Sequence, residues 1–480
     1  MYQTQEAGPD APVSVATAMS RTQEAIGLIV ILMASFLLAV DFSILTVALP
    51  TIGNDLGFTV GGLQWVITAF ALCAAGFTLF FSRLADRLGR RRLFLAGMCL
   101  LGAGSLLGGL AANPAMLIGA RVLQGVATAI SVPTALALIT TTFPEGSRRE
   151  RAIGLNATLM ATGFTVGALL SGVITESLGW RWTFLVNLPV VLATVVVTPL
   201  VIRATHERST AQLDLWGSIT LSGGLFAVVY GTSTLTAAGW TDIRSGPVIV
   251  AGLLILLAFV RIERRAKNPL IPVTLLTRRH IVVANGTGFL AFVTETSFVF
   301  LLTLYLQDAR GFDSLRTGLC FGLLGVGTIV GGAVGRHTVG RLGNRATVAL
   351  GFTVQALATL LVGMFGAVMP ISMLLLLLLV QGAASLVATV GFVVAATSGL
   401  WNAEQGAASG LATTSQQMGI AVGTPLLAAV FTLVLSHSGS PHDAAMSDAL
   451  SIAIVINACL CVGGVILSGF LDRSRPRAVA

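Results

Sequence analysis

Long apolar segments, separated by short polar loops, follow one another along almost the whole chain. Each segment has about 20 residues, the length that an α-helix needs to cross the ~30 Å hydrocarbon core of a bilayer. A porin-type barrel would instead show strands of about ten residues with alternating polarity. The pattern therefore predicts an all-α polytopic membrane protein.

The spacing of the apolar segments predicts fourteen transmembrane helices. The predicted spans are 26–50, 63–82, 93–112, 115–140, 152–176, 182–202, 215–235, 246–261, 281–306, 316–336, 347–368, 371–398, 410–436 and 449–471. An even number of spans places both termini on the same side of the membrane.

The composition agrees with this prediction. Of the 480 residues 55% are hydrophobic and only 10% are charged, whereas a soluble protein carries about 25% charged residues. The five cysteines lie in apolar segments and lack metal-ligand spacing, so we expect neither a metal site nor a disulfide. The chain has no phosphate-binding loop of the Walker type and no polar catalytic cluster, so we expect no enzyme and no ATP-driven pump.

One polar loop fixes the predicted orientation of the helices. Residues 82–92, SRLADRLGRRR, contain five arginines and one aspartate. Short loops rich in Lys and Arg stay on the cytoplasmic side. We therefore expect a multi-pass protein of the cytoplasmic membrane with both termini in the cytoplasm. A basic inner face also accounts for the net charge of +8, so we expect no nucleic-acid partner.

A fainter copy of this loop indicates an internal repeat. RLGRR at 87–91 matches RLGNR at 341–345, an offset of 254 residues. Six spans then form each half and two spans lie between them, in a 6+2+6 arrangement. The predicted domains are an N-terminal cytoplasmic tail (1–25), an N-terminal six-helix half (26–202), a two-helix insertion with a cytoplasmic linker (203–280), a C-terminal six-helix half (281–471) and a C-terminal cytoplasmic tail (472–480). In transporters built from repeats, the substrate site lies near the midplane between the halves.

Charged residues inside predicted spans are costly, which makes them candidates for function. Three stand out: Asp41, Arg121 and Glu295. The repeat offset carries Asp41 onto Glu295. Asp41 and Arg121 each lie roughly 10–12 Å below the outer boundary at 1.5 Å per residue, so an ion pair between them is possible.

The second half has no arginine that matches Arg121. The Gln-Gly pair at 124–125 recurs at 381–382, which places Leu378 at the arginine position. A buried carboxylate without a cationic partner tends to keep its proton, and it can release the proton when water or a cationic ligand arrives. Glu295 is therefore a candidate proton-coupling group. The alternative is structural: Asp41 with Arg121 locks two helices together, and Glu295 is a hydrogen-bonded interhelical contact.

Two further features have both a mechanical and a static interpretation. Gly163, Gly167 and Gly172 line the fifth span at a spacing that lets helices approach closely, either as static packing or as a contact that slides. In the basic loop, Asp86 can contact Arg87 or Arg90 and close the inner face, or the arginines serve topology alone. A third cluster, Trp180, Trp182 and Phe184, is typical of an aromatic anchor at the membrane interface.

Four segments resemble motifs of the major facilitator superfamily, in particular its fourteen-span drug:proton antiporter branch. Residues 82–92 are similar to G-x-L-A-D-R-x-G-R-[RK]-x, with serine in place of the first glycine. Residues 41–50 resemble D-x-T-I-V-N-V-A-L-P, residues 121–125 resemble R-x-x-Q-G, and residues 180–189 resemble W-R-W-x-F-x-x-N-x-P. The fifth-span motif G-x-x-x-G-P-x-x-G-G is matched from Gly163, but its proline and one glycine are missing.

The resemblance implies roles for these residues. Asp41, Arg121, Gln124 and Glu295 are expected to couple proton and substrate. Asp86, Arg87, Gly89 and Arg90 are expected to gate the inner face, and Gly163, Gly167 and Gly172 to pack as in the antiporter motif. Without the proline, we expect a weaker bend in the fifth span.

The sequence thus predicts proton-coupled export of small apolar or cationic drugs or antibiotics by alternating access. The expected partners are the small-molecule drug, protons and the lipid bilayer; the proton is the coupling ion, no other cofactor is expected, and the protein is expected to be a monomer. Two alternatives remain. One is a dedicated exporter of a single natural product, in a self-resistance role. The other is a membrane receptor or scaffold that transports nothing.

Overall fold

The computed structural model describes residues 21–143, 147–202, 215–238, 245–266, 275, 277–365, 369–398, 402–437 and 442–471. The predicted C-terminal tail, most of the predicted N-terminal tail, and parts of the predicted linker lie outside these ranges. The regular secondary structure of the described residues is helical throughout, without β-strands.

Fifteen helices follow one another along the described chain. They are α1 (Arg21–Ser43), α2 (Leu49–Leu56), α3 (Val60–Leu88), α4 (Arg90–Gly109), α5 (Pro114–Thr142), α6 (Ser147–Ser177), α7 (Trp182–Leu185), α8 (Asn187–Val201), α9 (Leu215–Ala238), α10 (Ser245–Glu263), α11 (Arg279–Leu304), α12 (Ser314–Phe365), α13 (Ile371–Thr397), α14 (Asn402–His437) and α15 (His442–Ser468). A π-helical turn, Tyr305–Ala309, extends α11.

Eleven of the described helices are long and apolar enough to cross a membrane. One of the eleven is α12, which has 52 residues and is interrupted by non-helical backbone at Gly343. Two shorter apolar segments, Gly62–Thr78 and Ile219–Gly231, lie within α3 and α9. The protein is therefore an all-helical, multi-pass membrane protein.

The first predicted span, 26–50, is wrong at its C-terminal end. The helix α1 stops at Ser43, residues 44–48 form turns, and α2 begins at Leu49. The Val40 carbonyl accepts the last helical hydrogen bond, from the Ile44 N–H at 2.8 Å, and it also accepts from the Ser43 hydroxyl at 3.3 Å. Pro50 lacks an N–H and lies in the first turn of α2, where that N–H is not needed.

The repeated basic loops adopt the same backbone turn. Gly89 separates α3 from α4 with φ +98°, and Gly343 interrupts α12 with φ +82°. This left-handed region is open to glycine at little cost and is strained for other residues. The glycines differ by the repeat offset of 254 residues, so the two loops match in conformation as well as in sequence.

The helices of each half pack mainly against one another. In the N-terminal half α5 packs against α3 and α4, and α1 packs against α6 and α8. In the C-terminal half α12 packs against α13 and α15, and α11 packs against α14. The intervening helices α9 and α10 form a pair, and α9 lies against both α3 and α14.

The two halves meet mainly through α6 with α12 and through α3 with α14. Near α2 a single apolar core takes residues from both halves, among them Leu49, Phe184, Phe298 and Leu374. We call this the α2 end of the bundle. Toward Gly89 and Gly343, which we call the glycine-turn end, each half also has a core of its own. A further core joins α3 of the N-terminal half to α9, α11 and α14.

Candidate functional site

The N-terminal half buries a charged pair. Asp41, near the end of α1, and Arg121, in the second turn of α5, are each only 1% exposed. Arg121 Nη1 lies 3.4 Å from Asp41 Oδ2, which is the ion pair that the sequence allowed. Because two charges are removed from water here, the site must satisfy nearly all of their hydrogen-bonding groups.

Gln124 joins the two charges. Its Oε1 accepts from Arg121 Nη1 at 2.8 Å, and its Nε2 donates to Asp41 Oδ1 at 2.8 Å. Gln124 lies three residues after Arg121, so both side chains leave the same face of α5. The amide therefore orients the carboxylate and the guanidinium at once.

The remaining donors of Arg121 are directed toward α3. Its Nε donates to the Val66 carbonyl at 2.9 Å, and its guanidinium lies 4.2 Å from the centre of the Phe70 ring. A cation over an aromatic face is stabilised further where water is excluded. Arg121 therefore ties α5 to both α1 and α3.

Two residues of this cluster were not predicted as site residues. Asn187, at the start of α8, donates to Asp41 Oδ1 at 2.5 Å and to Ser105 Oγ at 3.0 Å. Gln124 Nε2 also donates to Ser105 Oγ, at 3.1 Å. The available signal was the asparagine of the W-R-W-x-F-x-x-N-x-P segment, a polar residue at the start of an apolar helix.

Glu295, in α11, has different surroundings. Its side chain is partly exposed, whereas that of Asp41 is buried. Gln381 Nε2 donates to Glu295 Oε2 at 3.5 Å, and the Ser385 hydroxyl also hydrogen bonds to the carboxylate. Among the described residues, none of the ion pairs includes Glu295.

The neighbouring residues of α11 are held by amides from two other helices. Asn457 of α15 donates to the Thr294 carbonyl at 3.0 Å and to Ser297 Oγ at 2.7 Å. Gln355 of α12 donates to Thr294 Oγ1 at 3.3 Å. These contacts fix α11 on both sides of Glu295.

The glycines of α6 fall into two groups. A side chain at Gly163 would meet Ala39 at 2.8 Å, and one at Gly167 would meet the Val40 carbonyl at 2.7 Å, so both glycines pack against α1. A side chain at Gly172 would lie 2.6 Å from the Ser314 carbonyl of α12. Of these three glycines, Gly172 is the one that packs across the two halves.

The predicted inner-face residues gather at the α3–α4 turn. Arg87 is exposed, and Arg90 Nη1 donates to the Ala137 carbonyl of α5 at 3.5 Å. Gly89 forms the turn between them. The side chain of Asp86 lies outside the described part of the chain, so its contact with Arg87 or Arg90 stays a prediction.

The aromatic-anchor prediction is wrong for two of its three residues. Trp180 and Phe184 are buried at 3% and 1% exposure, whereas Trp182 is 49% exposed. The Trp180 indole N–H donates to Asp55 Oδ2 at 2.9 Å instead of facing lipid headgroups. A tryptophan in a loop signals an interface only when no polar partner lies beside it.

Asp55 is another residue that the sequence analysis did not identify. Arg181 Nη1 donates to the same Oδ2 atom at 2.8 Å, and its guanidinium lies 4.4 Å from the Trp180 ring centre. The indole hydrogen bond, followed by that from Arg181, lowers the pKa of the Asp55 carboxyl. This cluster fastens α2 to the loop before α7.

Comparisons with known proteins agree with this fold. The chain is 37% identical over 430 residues, 86% of its own length and 85% of the relative's, to the cephamycin export protein CmcT of Amycolatopsis lactamdurans. It is 33% identical over 439 residues, 89% of its length and 87% of the relative's, to the lincomycin resistance protein of Streptomyces lincolnensis.

Solved structures share the fold at low sequence identity. A bacterial homolog of the human lysosomal transporter Spinster, in an inward-facing and unoccupied conformation, superposes with a TM-score of 0.65 at 16% identity, over 96% of this chain and 100% of that chain. The family model of the Major Facilitator Superfamily matches residues 31–424 and 284–480. The chain therefore belongs to the Major Facilitator Superfamily.

Proposed function

We propose that this protein exports small apolar or cationic drugs or antibiotics across the cytoplasmic membrane, driven by inward proton flow. The observation that carries the proposal is Glu295: a partly exposed carboxylate inside an otherwise apolar helix, without an ion-pair partner among the described residues. Such a group can take up and release a proton as its access to water changes. The antibiotic export and resistance named for two relatives supports the drug as cargo.

The Asp41 cluster has a complementary role in this proposal. Asp41 is sealed from solvent and neutralised by Arg121, and Gln124 contacts both residues. A sealed pair can change only if a helix moves, because every partner belongs to α1, α3, α4, α5 or α8. Arg121 and Gln124 therefore couple helix movement to the charge of Asp41.

The cores of the two ends favour alternating access. A continuous apolar core spans both halves at the α2 end, and Gln307 Nε2 donates to the Val47 carbonyl across the halves at 2.8 Å. At the glycine-turn end each half has a core of its own, and contact between the halves there, among the described residues, is confined to the core that α3 shares with α9, α11 and α14. We take the α2 end as the outer face, closed in this state, and the glycine-turn end as the cytoplasmic face.

The proposal includes the topology. The glycine interruption of α12 and the two shorter apolar segments support fourteen spans in a 6+2+6 arrangement, with α9 and α10 as the insertion. Both termini then lie in the cytoplasm, and the protein works as a monomer in the bilayer. Asp86, Arg87, Gly89 and Arg90 gate the cytoplasmic face.

Proton-coupled export can be tested in inside-out vesicles that carry a respiration-generated pH gradient and a pH-sensitive dye. Addition of a cationic or neutral drug should release protons in wild type and not in Glu295→Gln. Glu176→Gln, an exposed carboxylate at the end of α6, is the matched control and should behave as wild type. Equal proton release from Glu295→Gln would exclude Glu295 from the coupling path.

A dedicated exporter of one natural product is the second candidate. The names of the relatives favour it, because cephamycin export and lincomycin resistance each specify one antibiotic. A panel of chemically unrelated antibiotics separates the two candidates. Proton release triggered by one compound class supports the dedicated exporter, and release by many classes supports broad drug efflux.

A further inference from the structure

The two halves hold the same carboxylate–glutamine pair, but only one of them holds an arginine. Gln124 donates to Asp41 at 2.8 Å, and Gln381 donates to Glu295 at 3.5 Å. The recurring Gln-Gly sequence aligns the two glutamines. At the position of Arg121 the second half has Leu378, which is fully buried.

The N-terminal half shows what this pair does with a cation. A single nitrogen, Arg121 Nη1, lies 2.8 Å from Gln124 Oε1 and 3.4 Å from Asp41 Oδ2. The amide oxygen and the carboxylate thus form a two-acceptor site for one positively charged nitrogen that carries two N–H bonds. Hydrogen bonds of this kind are roughly twice as strong as those between neutral groups.

In the C-terminal half the amide oxygen of this pair lacks a donor. Gln381 is fully buried, and its Oε1 has no hydrogen-bond partner. Leaving such an atom unpaired costs about 1–3 kcal/mol. Gln355, also fully buried, has an unpartnered Oε1 as well, and its amide nitrogen bonds to Thr294, the neighbour of Glu295.

The C-terminal site is also the accessible one. Asp41 is 1% exposed, whereas Glu295 is partly exposed. No arginine therefore has to be displaced for a cation to pair with the second carboxylate. The groups that hydrogen bond to Glu295 from α13 are neutral, and Cys461 of α15 is the titratable neighbour among the described residues.

We propose that Glu295 and Gln381 form the binding site for a protonated substrate nitrogen, which takes the place that Arg121 fills in the N-terminal half. The site requires N–H bonds as well as a positive charge, because the amide oxygen is neutral and gains its partner only through a hydrogen bond. Primary and secondary ammonium groups and guanidinium groups have at least two N–H bonds and satisfy both acceptors, whereas a quaternary ammonium group offers only its charge to the carboxylate. This inference names a substrate class and rests on the proposed drug export.

The experiment compares two cationic probes, of which only one carries N–H bonds. The first is a fluorescent aromatic compound with a protonated primary aminopropyl chain, and the second is its trimethylammonium analogue. Binding to the purified full-length protein in lipid nanodiscs is measured at pH 7 without any proton gradient. We expect wild type to bind the protonated amine about tenfold more tightly than the quaternary analogue, the value of one hydrogen bond to a charged group.

The variant Gln381→Met removes the amide oxygen and should bring the two affinities within about twofold of each other. Gln417→Met is the matched control. Its amide oxygen in α14 is also buried and unpartnered, and its loss should leave the tenfold ratio unchanged. Leu378→Arg is a second variant, which places an arginine where the N-terminal half has Arg121. It should weaken the binding of both cationic probes, while a neutral drug still binds.

Equal wild-type affinity for the two probes would overturn the inference, and so would a ratio that survives Gln381→Met. Retained binding of the neutral drug shows that each variant is folded. Because binding is measured without a gradient, absence of drug-triggered proton release in vesicles would contradict antiport alone and leave the amine site standing.

Discussion

At the scale of single residues, the two carboxylates of the repeat differ by one neighbour. Asp41 has Arg121, and Glu295 has Leu378 in the corresponding place. The first site is therefore a sealed ion pair with its amide partners in place. The second is a partly exposed carboxylate, and the amide oxygen of its partner Gln381 accepts no hydrogen bond. The presence of Arg121 in one half and of Leu378 in the other thus distinguishes a buried ion pair from a candidate binding group.

Breaking the sealed pair should destabilise the protein strongly. Asp41→Asn leaves Arg121 buried without a counter-charge, and Arg121→Gln leaves Asp41 in the same situation. We expect each single variant to lose about 3–5 kcal/mol of unfolding free energy. Thermal unfolding in detergent, followed for both singles and the double variant, measures the effect. The double variant should lose clearly less than the two singles together, and simple additivity would contradict the coupling.

The Asp55 cluster should make the stability of the folded protein depend on pH in the acidic range. Its hydrogen bonds lower the folded-state pKa of Asp55 below the unfolded value, which is about 3.9. The resulting stabilisation is fully present above the unfolded pKa and is lost as the pH falls through the folded pKa. Melting temperatures measured between pH 6 and pH 3 should therefore drop below about pH 4, and less steeply in Asp55→Asn. An identical acid-side drop in both proteins would contradict this role.

At the scale of helices, glycine pairs set the closest contacts. Gly163 and Gly167 allow α6 to lie on α1, and Gly419 and Gly423 allow α14 to lie on α11 in the other half. At these points the backbone of one helix lies close to the backbone of the other. An added side chain therefore cannot be accommodated by the rotation of a neighbouring side chain alone. The helix α6 lacks the proline of the antiporter motif, yet its glycines still contact α1, as the glycines of α14 contact α11 in the C-terminal half.

Adding one methyl group at these contacts should therefore separate the helices. In Gly167→Ala the new Cβ would lie 2.7 Å from the Val40 carbonyl. We expect a loss of about 1–3 kcal/mol from overpacking, read as a lower melting temperature and slower drug export. Gly119→Ala on α5 is the control, because its Cβ would have open space, and it should be neutral or slightly stabilising. Equal effects at the two positions would rule out the close-contact explanation.

At the scale of the whole molecule, the halves touch along α6 and α12 near the α2 end. Leu169 packs against Gly322, and Gly172 packs against Gly318. These contacts must open if the substrate is to leave on that side. The shared core at the α2 end and the two separate cores at the glycine-turn end are consistent with one state of such a cycle.

A disulfide across this interface should arrest transport. A Cβ at Gly322 would lie 3.2 Å from Leu169 Cγ, so Leu169→Cys with Gly322→Cys brings two Cβ atoms near the ~3.5–4.5 Å that a disulfide requires. In a background without the native cysteines, oxidation should stop drug export and a reductant should restore it. Each single cysteine variant, treated in the same way, should keep its activity. Undiminished export by the cross-linked protein would contradict movement at this interface.

Much of this could be predicted from the sequence, because the bilayer imposes long apolar helices and forces charged residues to be exceptional. Those rules gave the helical class, the repeat, the family resemblance, and the Asp41–Arg121 pair by depth. They could not give the end of α1 at Ser43, which lies inside an apolar segment, or the burial of Trp180, whose indole bonds to Asp55 of the distant helix α2.

The sequence by itself determined which residues are costly in a membrane and where they recur, since hydropathy and an internal repeat are properties of the chain alone. Only the tertiary structure decided how each residue is surrounded. It joined Asn187 and Ser105 to Asp41, left Gln381 Oε1 without a donor, and made Glu295 accessible. Exposure and hydrogen-bond completeness depend on side chains from several helices at once, and so become defined only when those helices pack together.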